Sequence, residues 1–188
     1  MEMGSSEVVN DRVIIGIDPG SNIMGYGVLH HKGKDLILIA YGIERFEGEE
    51  EHLMKIKKIF ERVIALIEKY LPDEMAIEAP FYGKNIQSML KLGRAQGAAI
   101  SAALSRQIPV VEYSPKRVKM SVTGKGNATK EQVAYMMTKM LKMTTIPETF
   151  DATDAIAIAL CHFNSRNAPV KSSKSWGAFL KENPDRMK

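Results

Sequence analysis

The chain has 188 residues, 45% hydrophobic and 26% charged, enough for one compact domain with its own core. No apolar run approaches the ~20 residues needed to span a bilayer, and Cys161, the single cysteine, excludes an internal disulfide and fits a reducing cytosol. The net charge of +4 is uneven: residues 1–83 carry 9 Lys/Arg against 15 Asp/Glu and residues 84–142 carry 11 against 2, a basic middle suited to a polyanion.

Met1 to Asp11 is polar and partly acidic, without the basic and apolar regions of a secretion signal, and is expected to be a disordered extension. Val13, Ile14, Ile15 and Ile17 then form an apolar run that reads as a strand buried on both faces. It ends in Asp18, and Pro19-Gly20-Ser21 breaks it into a tight turn. Gly25 to Leu29 reads as an antiparallel return strand, and Leu36 to Phe46 as a third strand completing a meander. Leu53, Ile56, Phe60, Val63, Ile67 and Leu71 repeat at three and four residues, which predicts an amphipathic helix over 50–71 with one buried stripe. Glu49, Glu50 and Glu51 suit the positive end of its dipole.

Glu74 to Glu78 reads as a short strand with Glu78 at its carboxyl end, followed by the loop Ala79 to Asn85. A helix is expected from about Asn85 to Gln107. Its Gly93 and Gly97 allow close packing on the sheet or on another helix. Pro109 to Tyr113 is the fifth strand, and Ser114-Pro115 starts a short helix over 114–122. After the basic loop Thr123 to Asn127, a helix runs from Thr129 to about Met143, with Met136, Met137, Met140 and Met143 as adaptable core filler. Asp151 to Phe163 is an apolar helix holding Cys161 as a buried thiol. From Asn164 a basic, mostly disordered tail is expected, with Trp176 to Leu180 its one apolar patch. The order of elements predicts an α/β domain with a mixed five-stranded sheet flanked by helices, over 12–163.

Sites in open α/β sheets lie at the carboxyl ends of strands, where Asp18 and Glu78 both stand. Asp151 and Asp154, three apart, share one face at the start of the last helix, where helix capping alone would also account for them. Two bare carboxylates ~5 Å apart repel by roughly 3 kcal/mol at an effective dielectric of about 20. Convergence of all four therefore demands cations. An all-carboxylate set suits Mg²⁺, with Mn²⁺ as a substitute. A pair of such ions serves phosphoryl displacement, and the basic segment makes a nucleic-acid backbone the natural substrate.

Ile15-Gly-Ile-Asp-Pro-Gly-Ser21 with Gly25 to Val28, Ala76-Ile-Glu78 with Phe81 and Lys84-Asn85, Leu90 to Gly93, and Asp151 to Ile158 together resemble the RuvC family of Holliday-junction resolvases over roughly 12–163. The resemblance implies an RNase H-like fold, a cytoplasmic homodimer, Mg²⁺-dependent symmetrical nicking of two opposed strands of a four-way junction, and partnership with the RuvA–RuvB branch-migration motor. It assigns Asp18, Glu78, Asp151 and Asp154 as the catalytic acids, holding about two ions per subunit. It assigns Phe81, or Tyr82 in its place, as the base-stacking aromatic, and Lys119 and Lys130 as basic residues near the scissile phosphate. Lys84, Lys116, Arg117 and Lys125 are further candidates for backbone contacts. Ala79-Pro80 departs from the family's loop, and the two termini match no family role.

Three rival readings share part of this pattern. Sugar-kinase, Hsp70 and actin ATPases share the turn, but need a duplicated domain that 188 residues cannot hold. A small RNase H-like nuclease processing ribosomal RNA precursors shares the first motif. A non-catalytic junction-binding protein would leave the acids as caps and turns.

Overall fold

The computed structural model describes residues 11–46, 51–80, 85–144, 147 and 149–167. In chain order these form β1 (Asp11–Pro19), β2 (Ile23–Lys32), β3 (Asp35–Arg45), α1 (His52–Tyr70), β4 (Glu74–Glu78), α2 (Ile86–Ser105), β5 (Val110–Tyr113), α3 (Pro115–Thr123), α4 (Lys130–Met140) and α5 (Phe150–Asn167). One mixed sheet runs β3-β2-β1-β4-β5, with β1 antiparallel to β2 and parallel to β4.

Strand alternation sorts side chains between two layers. Ile15 and Ile17 of β1, Met24 and Val28 of β2, and Met75 and Ile77 of β4 face α1 and α2 and share a core with Ile59, Val63 and the α2 alanines. Ile14, Leu29 and Ala76 face the other way, into a core built on Ile156 to Cys161 of α5 with Val118, Val133 and Met137. The expectation that β1 is buried on both faces holds. Asp18 and Glu78 have the parity of Ile14 and Ala76, so both belong to the α5 layer.

The close fit of α5 depends on glycine. A Cβ on Gly16 would stand 2.2 Å from the Ala155 carbonyl, one on Gly25 2.0 Å from the Asp151 carbonyl, and one on Gly27 2.8 Å from the Ile156 Cα. Only a bare backbone admits the helix at that depth. Gly93 and Gly97 do the opposite. Both are exposed, nothing among the described residues lies within 4 Å of a Cβ built on either, and alanines at 95, 98, 99, 102 and 103 make the inner face of α2. Packing on the chain's own sheet therefore does not explain these two glycines.

Caps follow the sequence where polar residues were placed for them. Ser114 accepts from the Arg117 N–H with Pro115 in the first turn, and Thr129 and Gln132 form a reciprocal capping box. Several expectations need correction. The α1 stripe is centred on Ile59, Val63, Leu66 and Ile67, while Leu53, in the first turn, and Leu71, whose left-handed C-cap conformation takes it off the helical period, are exposed. Glu51 is the N-cap without a side-chain capping bond, and Glu49 and Glu50 lie outside the described residues. Of the α4 methionines Met137 is buried, while Met136 and Met140 fall on the outer face and are exposed. β1 begins at Asp11, inside the expected extension, where Asp11 pairs with His30. α5 continues to Asn167, four residues past its expected end. Asn164 donates to the Ser121 carbonyl and Arg166 to Glu74, and these bonds hold the extra turn. Trp176 lies outside the described residues.

Candidate active site

Backbone geometry gathers the four acids. β1 and β4 are paired in parallel register up to Ile17 and Ile77, so one further step sets Asp18 beside Glu78, on strands ~4.8 Å apart. Asp18 is also the cross-strand partner of Gly25. That glycine is where the Asp151 carbonyl descends onto the sheet, which brings the first turn of α5 to Asp18. Gln96, buried on α2, donates to the Glu78 carbonyl oxygen at 3.2 Å and to Glu112 at 2.8 Å. The Ala79 N–H donates to the Tyr113 carbonyl at 2.8 Å. Together they fix the end of the strand that presents Glu78.

The charges of these acids act on one another. Burial, then Glu78, Asp154 and Asp151, raise the Asp18 carboxyl to about 7, against a partial offset from Lys130. Burial, then Asp154, raise Glu78 to about 7, with Lys130 and Lys119 opposing. For Asp18, moved from 3.8, this is roughly 4 kcal/mol against the charged form at about 1.4 kcal/mol per pH unit. Lys130 donates to Asp154 at 2.6 Å. Burial acts against its ammonium, but Asp154, Asp18 and Asp151 outweigh that and hold it charged.

Glu78 and Asp154 open into a groove of about 450 Å³ with Lys116, Lys119 and Lys130 on its rim and Val118 and Val133 in its floor. Carboxylates meeting lysines around a concave surface can hold a hard cation and a phosphodiester side by side. The donor chemistry suits such a cation, although among the described residues no three His, Cys, Asp or Glu side chains are close enough to ligate one ion as they stand.

Not every expected site residue joins this cluster. Arg117 turns away, its guanidinium reaching the Ser165 hydroxyl at 3.3 Å and lying over the Tyr113 ring. Lys125 is exposed on the α3–α4 turn. Phe81, Tyr82 and Lys84 lie outside the described residues. Sequence reading missed Gln96, whose only signal is an amide among the alanines of a helix face. It also missed His162 and Glu74, signalled by a histidine in an otherwise apolar helix and an acid opening a buried strand.

The family model described as "Crossover junction endodeoxyribonuclease RuvC" matches residues 14–162. A protein of that name from Cytophaga hutchinsonii is 56% identical over 95% of this chain and 89% of its own length. One from Porphyromonas gingivalis is 50% identical over 95% of this chain and 98% of its own. The solved structure of Thermus thermophilus RuvC in complex with Holliday junction substrate superposes with a TM-score of 0.78 at 32% identity, over 82% of this chain and 94% of that one.

Proposed function

The chain belongs to the RuvC family of crossover junction endodeoxyribonucleases, and from that premise we propose that Asp18, Glu78, Asp151 and Asp154 are the catalytic acids of its nuclease domain. The protein is a DNA endonuclease that resolves Holliday junctions by phosphodiester hydrolysis in recombination and repair, on an RNase H-like α/β fold. Enzymes of this kind depend on divalent metal. The observation that carries the site is geometric: parallel pairing sets Asp18 beside Glu78 at two adjacent strand ends, and the first turn of α5 comes down on Gly25 next to them.

In this reading the four acids hold Mg²⁺, two ions per subunit, with Mn²⁺ as a substitute. When bound, the ions supply water activation and charge neutralisation at the leaving oxygen of an in-line displacement. Lys130 now neutralises Asp154, and Lys119 approaches Glu78. With the acids neutralised by the ions, both lysines would be free to contact the scissile phosphate and offset its charge. Lys116 and Lys125 contact flanking phosphates, with Arg117 a more distant contributor. Phe81 or Tyr82 stacks on a base, with Lys84 beside it.

Symmetrical cutting of two opposed strands fits a homodimer, because a two-fold axis presents two identical sites. Ile86, Leu90, Gly93 and Gly97 recur at helical spacing on α2, all exposed. Among the described residues this is an exposed face of apolar and small residues, of the kind that lets two helices meet closely. Gly93→Glu is expected to yield monomers in sedimentation. The cytoplasm is the proposed compartment and the RuvA–RuvB motor the proposed partner.

The test is nicking of a synthetic four-way junction beside a linear duplex of the same sequence, with Mg²⁺ or chelator. Paired nicks only in the junction and only with Mg²⁺, lost in Asp18→Asn while junction binding is kept or tightened, support the reading. Unchanged nicking by Asp18→Asn refutes it, and preference for RNA would favour a ribosomal RNA nuclease.

A further inference from the structure

A second buried carboxylate stands at the other end of the strand that carries Glu78. Glu74 and Glu78 are four residues apart on β4, so both side chains face α5. Glu78 meets Asp154 near the start of the helix, and Glu74 meets His162 and Arg166 near its end. Glu74 accepts from His162 Nε2 and from both arms of the Arg166 fork, with Nε at 3.0 Å. Arg12 Nη1 lies 3.7 Å away. A carboxylate only accepts, so Nε2 of His162 carries a proton, and in the neutral ring Nδ1 accepts from the Tyr113 hydroxyl at 2.9 Å. Glu74 is 7% exposed and His162 1%.

The middle of α5 cannot supply the same directionality. It lies on the bare backbone of Gly16 and Gly27, beside the apolar side chains of Ile14 and Leu29. These contacts are apolar and non-directional, and they contribute close packing rather than a bond of fixed geometry. At the upper end the acids repel one another. Among the described residues, the side-chain hydrogen bonds from α5 to the sheet are those of His162 and Arg166.

We infer that Glu74, His162 and Arg166 form a positioning device that sets the axial register of α5 on β4 and so holds Asp151 and Asp154 opposite Asp18 and Glu78. The inference rests on the reading of those four acids as the metal site. His162 lies eight residues from Asp154, about 12 Å along the helix at 1.5 Å per residue. A slip of one residue would move both aspartates by ~1.5 Å, while Mg²⁺ demands near-ideal ligand distances of about 2.1 Å. These residues touch no reacting atom and act only through the aspartates.

The test uses the full-length protein without DNA. Calorimetry measures Mg²⁺ binding, and nicking assays then give the Mg²⁺ concentration for half-maximal rate. Glu74→Gln is expected to weaken Mg²⁺ binding about three- to tenfold, at or below the 10–100-fold typical of groups bonded directly to a ligand. The half-saturating Mg²⁺ rises in step, while the rate at saturating Mg²⁺ and junction affinity in chelator stay within about twofold. Arg166→Lys, which keeps the charge, should fall in between. A folded Glu74→Gln protein that binds Mg²⁺ like the parent and loses only thermal stability would overturn the inference. If that variant does not fold, Arg166→Ala removes a half-exposed arm of the cluster, and the same readings decide. Equal Mg²⁺ binding by the parent and Asp154→Asn would instead remove the premise about the acids.

Discussion

The two ends of the β4–α5 pair are built from the same kinds of group to opposite effect. At the upper end Glu78 faces Asp154, with Asp18 and Asp151 alongside, and Lys130 is the counter-charge bonded there. At the lower end Glu74 faces His162, Arg166 and Arg12. Burial alone would raise the Glu74 carboxyl, but His162 and Arg166 outweigh it and hold the group below its usual range. Burial and then Asp154 raise Glu78 to about 7, and Lys130 and Lys119 offset this only in part. A buried carboxylate surrounded by donors is part of the fold, whereas one beside other carboxylates costs stability until a ligand arrives, which makes it a candidate for function.

That contrast can be broken most visibly at the upper end. Glu78→Gln should lower junction nicking about 10²–10³-fold, as loss of one transition-state stabiliser does. It should nevertheless raise the melting temperature in chelator, because a buried repelled charge is gone. Glu74→Gln should do the reverse to the fold, costing about 3 kcal/mol in urea unfolding, at the low end for a broken buried pair because Arg166 is half exposed.

The pH dependence separates the ends next. Asp18 and Glu78 have native values near 7, above their unfolded values, so between about pH 4 and 7 the native state binds more protons. Their contribution to stability is therefore lost as pH rises through 7, and chelated protein should melt lower at pH 8 than at pH 6. Glu74 has the depressed value, so its contribution is present at neutral pH and is lost only as pH falls below the ordinary glutamate range. With limiting Mg²⁺, nicking should rise through pH 7 as the upper carboxyls ionise.

The glycine bed joining the two ends predicts that Gly16→Ala costs about 1–3 kcal/mol through overpacking against Ala155 and Ala159. Arg12→Gln is the smallest change. Its guanidinium is 3.7 Å from Glu74 and half exposed, so under about 1 kcal/mol should be lost. A larger loss would mean that Arg12, rather than His162 and Arg166, anchors the lower end.

Much of the fold was legible in the residue order. The continuous apolar run Val13–Ile17, the strand Glu74–Glu78, the Ser114-Pro115 helix start and the apolar run after Asp154 are local signals, and each became the expected element. So did the positions of Asp18 and Glu78 at strand ends and of Asp151 and Asp154 on one helical turn. The ends of the α1 stripe were not legible, because an apolar residue at a helix end is buried only if another element reaches it, and Leu71 leaves the helical period as a left-handed cap. The role of Gly93 and Gly97 was ambiguous for a similar reason. Small residues announce close approach without saying to what, and only the assembled layers show that the alanines of α2 face inward and these glycines outward.

The sequence by itself determined which side chains could do metal-assisted phosphodiester chemistry, because that depends on residue type and on spacing within single elements. Tertiary structure decided what those carboxylates meet. The pairing of β1 with β4, the descent of α5 onto Gly25, and the bonding of Glu74 to a histidine 88 positions away are long-range juxtapositions. A carboxylate's energy depends on the charges within a few ångströms of it. Two glutamates four residues apart on one strand therefore read alike in sequence and differ in function because different partners reach them across the sheet.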